Sequence, residues 1–302
     1  MSKLAIVRWY LYAAYLRMLR LRDRLFTPRA VDELEAGVRH ALFTRYEEIA
    51  GDLSYSARLR NHELKVFSQN GEDGLLAYIF SQVGTTNRRF VEFGVGDGRE
   101  CNCANLAVNF GWTGLMLEAN RSEADAARAY FQGVCHETGV EVRVVEARLT
   151  RENIDEQIGA GGSTGEIDLL SIDVDGNDYW LWEALTVIEP RVVVIEYNAS
   201  FGTRPVTVPY DPDFVRFRAH RSGWYHGASL AALARLGKRL GYDLVATDSR
   251  GVNAFFIRSD VPKGVLRCME ADAAYRPQRK RLVVATEEEQ FAAIRRLEYV
   301  EV

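Results

Sequence analysis

From about residue 66 the chain alternates short apolar runs with amphipathic stretches. Arg89-Phe-Val-Glu-Phe93, Thr113-Gly-Leu-Met-Leu-Glu118, Val142-Arg-Val-Val-Glu146, Ile167-Asp-Leu-Leu-Ser-Ile-Asp173 and Arg191-Val-Val-Val-Ile-Glu196 read as five strands. They are nearly continuous in apolar and β-branched residues, as strands buried on both faces are, and this predicts a parallel sheet. Helices are predicted between them, from Ser68 through Gln82, over 122–137 and from Tyr179 to Val187. A helix over 227–240 is followed by Tyr242-Asp-Leu-Val-Ala246 and Ala254-Phe-Phe-Ile257. The intervening Ser249-Arg-Gly-Val-Asn253 is a turn sequence, so these two strands are expected to form an antiparallel hairpin. Residues 1–65 have a different grammar and are expected to be a helical extension. One helix ends near Phe26; Thr27 caps a second, with Pro28 at its first position, which runs to about Ala50 and stops at Gly51.

Charge sharpens that division. The 302 residues carry a net −4. Residues 1–29 hold Lys3, Arg8, Arg17, Arg20, Arg22, Arg24 and Arg29 against Asp23 alone, together with Trp9, Tyr10, Tyr12 and Tyr15. This basic, aromatic segment suits an anionic membrane surface; packing on its own domain or on a second subunit, giving a homo-oligomer, is the alternative. The rest of the chain is acidic, which argues against nucleic acid as a partner. Cys101, Cys103, Cys135 and Cys268 are too scattered for a disulfide framework, and a cytoplasmic setting is expected, peripheral at the inner membrane surface if the N-terminal segment docks there. Leu4–Leu16 is interrupted by Arg8 and is shorter than the roughly 20 residues of a membrane span.

The sharpest motif is Glu92-Phe-Gly94-Val-Gly96-Asp97-Gly98, between a buried strand and a helix. Glycines there let the backbone turn sharply and let a ligand approach the peptide groups. Glu118 ends the next strand, where a carboxylate can accept both hydrogen bonds of a ribose diol. The third glycine comes one residue too early for a dinucleotide fingerprint, and Glu92 and Asp97 put negative charge where a pyrophosphate would sit. A cationic sulfonium cofactor tolerates that charge. The alternative is a glycine turn without a ligand.

A second constellation lies at the carboxyl ends of the fourth and fifth strands: Asp173, Asp175 and Asp178, then Glu196 and Asn198. So many carboxylates beside one another need counter-charge or protonation. Asp173, Glu196 and Asn198 form a candidate oxygen set for Mg2+ or Mn2+, with Asp175 left to act as base; helix capping by Asp175 or Asp178 is the structural alternative. The loop 199–229 is rich in proline and aromatics, which suits a sugar. It ends in His226, a competing base or a buried structural histidine.

Taken together, Ser68-Gln-Asn-Gly-Glu-Asp73, Val91–Gly98, Gly114–Asn120, Leu170–Gly176, Tyr225-His-Gly-Ala-Ser-Leu230 and Gly251–Phe256 resemble the FkbM-type S-adenosylmethionine-dependent methyltransferases. The resemblance covers about residues 66–258. It implies a Rossmann-like domain over 66–302, with a seven-stranded, mostly parallel sheet and a reversed terminal hairpin of the class I methyltransferase kind. It also implies O-methylation of a sugar, glycan or glycosylated metabolite. In that reading Glu92, Gly94, Gly96 and Gly98 cradle the methionine part of the cofactor and Glu118 holds its ribose, with Gln69, Asp97 and Asp173 among the cofactor contacts. Asp175, Asp178 and His226 are the catalytic candidates, although many relatives carry Glu at the positions of Asp175 and Asp178. A non-catalytic module that binds a nucleoside or docks on a membrane is the reading of a different class.

Overall fold

The computed structural model describes residues 55–302. The two helices expected within 1–50, and the membrane-docking segment, lie outside the described residues. β1 (Arg89–Phe93), β2 (Thr113–Glu118), β3 (Val142–Glu146), β4 (Gly165–Ile172) and β5 (Ile188–Glu196) are parallel neighbours. β7 (Tyr242–Thr247) and β8 (Asn253–Arg258) complete one seven-stranded sheet of order β3-β2-β1-β4-β5-β8-β7. β8 runs antiparallel to both β5 and β7, so the expected parallel sheet with its reversed hairpin is what forms. Val192 and Val194 on β5 face one apolar layer, with Phe255 and Ile257 of β8. Val193 and Ile195 face the other, with Phe256. This two-sided burial is what the unbroken β-branched runs require.

Several boundaries move for identifiable reasons. The helix expected from Ser68 begins instead at Glu72, as α2 (Glu72–Val83), because Asp73 Oδ2 accepts the backbone N–H groups of Val66, Phe67 and Ser68 and wraps those residues into a loop. The helix expected to reach Val187 ends at Ala184, and β5 starts at Ile188, earlier than expected. The segment expected to extend to residue 65 does not all stand apart from the sheet. The described part of the chain, from Tyr55 on, belongs to the compact unit that holds the sheet. Within it α1 (Tyr55–Asn61) buries Leu59 in the core, and Tyr55 Oη donates to the Val245 carbonyl of β7. α3 (Ala104–Phe110) is the helix expected after the glycine turn, whereas α5 (Ile154–Ala160), with no side-chain cap, was not legible in the sequence. Beyond β8 the chain adds α9 (Ala271–Ala274), α10 (Arg279–Leu282), α11 (Glu287–Ile294) and β9 (Val300–Glu301), the last pairing with β6 (Val206–Thr207) of the long loop. α4 (Arg121–Thr138), α6 (Asp178–Ala184), α7 (Arg216–Ala219) and α8 (Leu230–Leu240) are the remaining α-helices among the described residues, and Ala199–Phe201 forms a 3-10 turn of helix. None of the described helices is long and apolar enough to cross a membrane.

One buried carboxylate ties the amino end of β1 to the sheet. Asp168 of β4 accepts the N–H groups of Thr86, Asn87 and Arg88, and pairs with Arg191 of β5 at 2.9 Å. Burial alone would raise its pKa; Arg191 and the three N–H groups bring it below the usual value instead. The stability this pair contributes is therefore present above the unfolded-state pKa of about 3.9 and is lost as pH falls through the lower folded value. Asp168→Ala strands Arg191 in the core and is expected to cost about 3–5 kcal/mol in urea unfolding at pH 7. A loss under about 1 kcal/mol would reduce the staple to a surface-type pair.

Candidate active site

The carboxyl ends of β1, β2, β4 and β5 open onto a cleft of about 820 Å³, the place where open α/β sheets bind ligands. β1 leads into Gly94 at φ +73°. A Cβ at Gly94 would lie 1.7 Å from the Asp173 carbonyl oxygen, so only glycine allows the ends of β1 and β4 to approach this closely. Gly96, at φ +55°, faces open space, and its N–H donates to Glu118 Oε2 at 2.8 Å. Glu118 Oε1 accepts from Asn120 N at 2.7 Å. A carboxylate offers about four lone-pair sites, so Glu118 is oriented by two N–H groups and keeps acceptor capacity toward the cleft. Gln69, Asp97 and Asp173 line the same cleft.

Three sequence-assigned positions are placed elsewhere. Glu92 is buried below the turn: Oε1 accepts from Asn102 N and Ser171 Oγ, and Oε2 from Cys103 N, so its carboxylate is occupied in holding the next loop. Gly98 does not line the cleft; a Cβ there would meet Phe131 of α4 at 2.8 Å, so it serves helix packing. Asp178 is a loop staple, against its assignment as catalytic. It is fully buried, Oδ1 accepts from Val174 N at 2.9 Å and Oδ2 from Gly176 N at 3.0 Å. Burial raises its pKa to about 6, against the pull of those N–H groups.

The loop stapled by Asp178 holds Asp175 at φ +58°, a left-handed conformation uncommon outside glycine. Its side chain is 59% exposed and pairs with Arg216 of α7. Glu196, at the end of β5, lines the cleft although nearly buried. Burial, and then the Asp175 charge, push its pKa up to about 8, with Arg216 opposing. Burial and then Glu196 likewise push Asp173 well above the usual carboxylate range. The crowded carboxylates are thus accommodated in three ways: N–H groups at Asp178, a guanidinium at Asp175, and protonation at Asp173 and Glu196.

His226 is completely enclosed, and burial, with Arg216 and Arg281 nearby, keeps it neutral. Arg281 Nη2 lies 2.8 Å from His226 Nε2. A guanidinium only donates, so Nε2 is the acceptor and the proton sits on Nδ1, which faces Glu196 Oε2 at 3.5 Å. The ring has no free lone pair and does not act as the base; it packs beside Glu196 without a hydrogen bond to it. Asn198 is equally committed. Its Oδ1 accepts from Ser200 N and Arg281 Nη1, and its Nδ2 donates to the carbonyls of Trp224 and His226.

The proposed oxygen set of Asp173, Glu196 and Asn198 therefore lacks one member. The described residues that bring ligand atoms within 4.8 Å of one another are Asp175, Glu196 and His226. With Asp175 on Arg216 and the His226 Nδ1 protonated, this group does not fit Mg2+ or Mn2+ in the arrangement seen.

The long loop divides its aromatics. Phe214 and Trp224 line the cleft, whereas the Tyr225 hydroxyl donates to the Glu298 carbonyl and Tyr210 donates to Glu152 at 2.6 Å. Arg148, just after β3, holds the loop across the cleft by donating to the carbonyls of Pro212 and Phe214. Sequence reasoning missed Arg148, Arg216, Lys280 and Arg281, all of which line the cleft. The need for counter-charge beside the carboxylates was a signal for Arg216; nothing in the sequence pattern marks Arg281.

No protein-family profile matches the chain. No curated protein matches it either. Among solved structures it is similar to the mitomycin 7-O-methyltransferase MmcR at 16% identity and a TM-score of 0.38, over 62% of this chain and 53% of that one. It is similar to magnesium protoporphyrin IX methyltransferase ChlM from Synechocystis PCC 6803 with bound SAM at 12% identity and a TM-score of 0.42, over 74% and 97% of the two chains. It is also similar to an O-methyltransferase from Bacillus cereus in complex with SAH at 18% identity and a TM-score of 0.39, over 79% and 94%. The chain thus spans about half the length of the mitomycin enzyme and nearly all of the other two.

Proposed function

We propose that the chain is an S-adenosylmethionine-dependent O-methyltransferase acting on a hydroxyl of a sugar, glycan or glycosylated metabolite. The observation that carries this reading is the composition of the single cleft. One part holds the Gly94–Gly96 turn and Glu118; another holds Asp173, Asp175 and Glu196 beneath Phe214 and Trp224. The first part fits a nucleoside carried on a cationic group. Glu118 has acceptor capacity for a ribose diol, and Gly96 leaves room at the backbone. When bound, the cofactor supplies an activated methyl group. The chain's own residues supply alignment and proton removal. Trp224 and Phe214 offer faces to a sugar ring. Glu196 takes the proton from the acceptor oxygen and passes it to solvent. Neutral His226 presents its Nδ1–H 3.5 Å from that carboxylate, and the Asp175–Arg216 pair forms the adjoining wall. A base held within hydrogen-bond reach contributes typically about 10²–10⁴-fold. A purely nucleoside-binding module has no use for the buried Glu196 and its arginine-held histidine.

Calorimetry tests the cofactor assignment. S-adenosylmethionine and S-adenosylhomocysteine are expected to bind, and NAD is not. Glu118→Ala removes the ribose acceptor and is expected to weaken both by about tenfold or more, the value of one charge-assisted hydrogen bond. Equal affinity in wild type and variant would remove Glu118 from the site, and NAD binding in place of S-adenosylhomocysteine would overturn the cofactor.

A further inference from the structure

α10 turns two consecutive cations toward the cleft by different routes. Arg281 is only 7% exposed, yet it lines the cavity. Its Nη1 donates to Asn198 Oδ1 at 2.6 Å and to Ser200 Oγ at 2.8 Å, and its Nη2 to His226 Nε2 at 2.8 Å. All three acceptors are neutral. A guanidinium has five N–H donors, so two remain without a protein acceptor, and among the described residues no carboxylate lies within ion-pair distance of Arg281. An enclosed cation without counter-charge is costly. Burial draws its pKa down to about 10, and the nearby Glu196 opposes this only in part. Lys280 is exposed, lines the same cleft, and has no ion pair or hydrogen bond among the described residues. Arg216, by contrast, is taken by Asp175.

The other part of the cleft has the opposite polarity. Asp97 pairs with Arg99, and Glu100 with Lys65, but Glu118 is held only by N–H groups. The cleft thus carries a carboxylate without an ion pair where a cationic cofactor would sit and, on α10, two cations without an ion-pair partner among the described residues.

We propose that the acceptor carries an anionic group, phosphate or carboxylate, bound by Arg281 and Lys280 while its reacting hydroxyl lies against Glu196. The proposal rests on the methyltransferase reading and narrows its substrate class to anionic sugars. Such a group gives Arg281 the charge-assisted bonds its free donors lack, and Lys280 adds a second charge in the same cleft. A neutral sugar leaves both uncompensated.

The test titrates the full-length protein at low salt with glucose 6-phosphate, glucuronate and glucose, each with and without S-adenosylhomocysteine, by ligand-observed NMR. At least one anionic sugar is expected to bind at least tenfold more tightly than glucose; whichever of the two binds identifies phosphate or carboxylate as the group. Lys280→Glu and Arg281→Gln are each expected to weaken that binding tenfold or more. Because Arg281 also bonds to Asn198, Ser200 and His226, the exposed Lys280→Glu is the decisive variant, and its affinity for S-adenosylhomocysteine is expected to be unchanged. Binding of glucose as tight as that of both anions overturns the proposal, as does anion binding unaltered in Lys280→Glu or absent in the wild type. Failure of S-adenosylhomocysteine to bind brings down the methyltransferase reading instead, and the titrations without it still report on the anion seat.

Discussion

Replacing Glu196 by glutamine is expected to lower turnover by about 10²–10⁴-fold while S-adenosylhomocysteine binding stays intact. The substitution keeps the shape of a side chain that lies at the end of β5 and lines the cleft, and replaces its basic carboxylate by an amide that cannot take up a proton near neutral pH. Wild-type activity is expected to rise with pH through about 8, because burial and the Asp175 charge hold Glu196 protonated below that value. Stability moves in the other direction. A carboxyl whose folded pKa is raised stabilises the fold fully below its unfolded value of about 4.3, and that contribution is lost as pH climbs through about 8. The glutamine variant escapes this loss, so it is expected to be at least as stable as wild type at pH 8.5, which separates lost chemistry from lost folding. Asp175→Asn loosens Arg216 and is expected to cost less. Should Glu196→Gln keep more than about a tenth of wild-type turnover, proton transfer to Glu196 is excluded, and Asp175 becomes the residue to examine.

Gly94→Ala is expected to be the most damaging single methyl in the cofactor region. The added carbon would fall 1.7 Å from the Asp173 carbonyl oxygen, which is backbone on the neighbouring strand and has no rotamer with which to yield. The positive φ adds strain of about 1–3 kcal/mol, and overpacking adds about 1–3 kcal/mol more. In a domain of this size a loss of about 3 kcal/mol lowers the melting temperature by roughly 6–12 °C. The ends of β1 and β4 must part to relieve the contact, which also opens the cleft where the cofactor is proposed to bind, so S-adenosylhomocysteine affinity is expected to fall with stability. Gly96→Ala provides the contrast: its Cβ meets nothing within 4 Å, and only the φ of +55° is penalised. Equal melting temperatures for the two variants would show that the contact at Gly94 relaxes freely.

The sheet was readable because its strands are buried on both faces. Arg191-Val-Val-Val-Ile and Ala254-Phe-Phe-Ile have no solvent face and so no polar alternation to obscure them. Gly94, Gly96 and Glu118 were readable because a left-handed turn and a carboxylate at a strand end leave marks at fixed spacings. What the sequence did not show is direction. Glu92 and Asp178 stand in the right motifs, but their oxygens turn inward onto backbone N–H groups that no local pattern announces. His226 loses its place as a base through Arg281, which arrives from a segment far along the chain. Long-range pairs of this sort carry no periodicity. Crowded negative charge requires a partner for Asp175, yet no pattern in the chain singles out Arg216 for that place.

The insertion of β8 between β5 and β7 has a consequence for how the chain is made. β5 has its β4 partner in the chain already made when it leaves the ribosome, but its other edge is paired by Asn253–Arg258, made later. Until then Val192 to Ile195 present an unpaired, uncharged, β-branched edge, the kind of template on which other strands add. Synthesis at about 5–20 residues per second leaves that edge open for seconds in every new molecule. A nascent chain stalled or cleaved before residue 253 is therefore expected to aggregate more readily than the whole chain, and the reversed hairpin serves as the lock that ends this exposure.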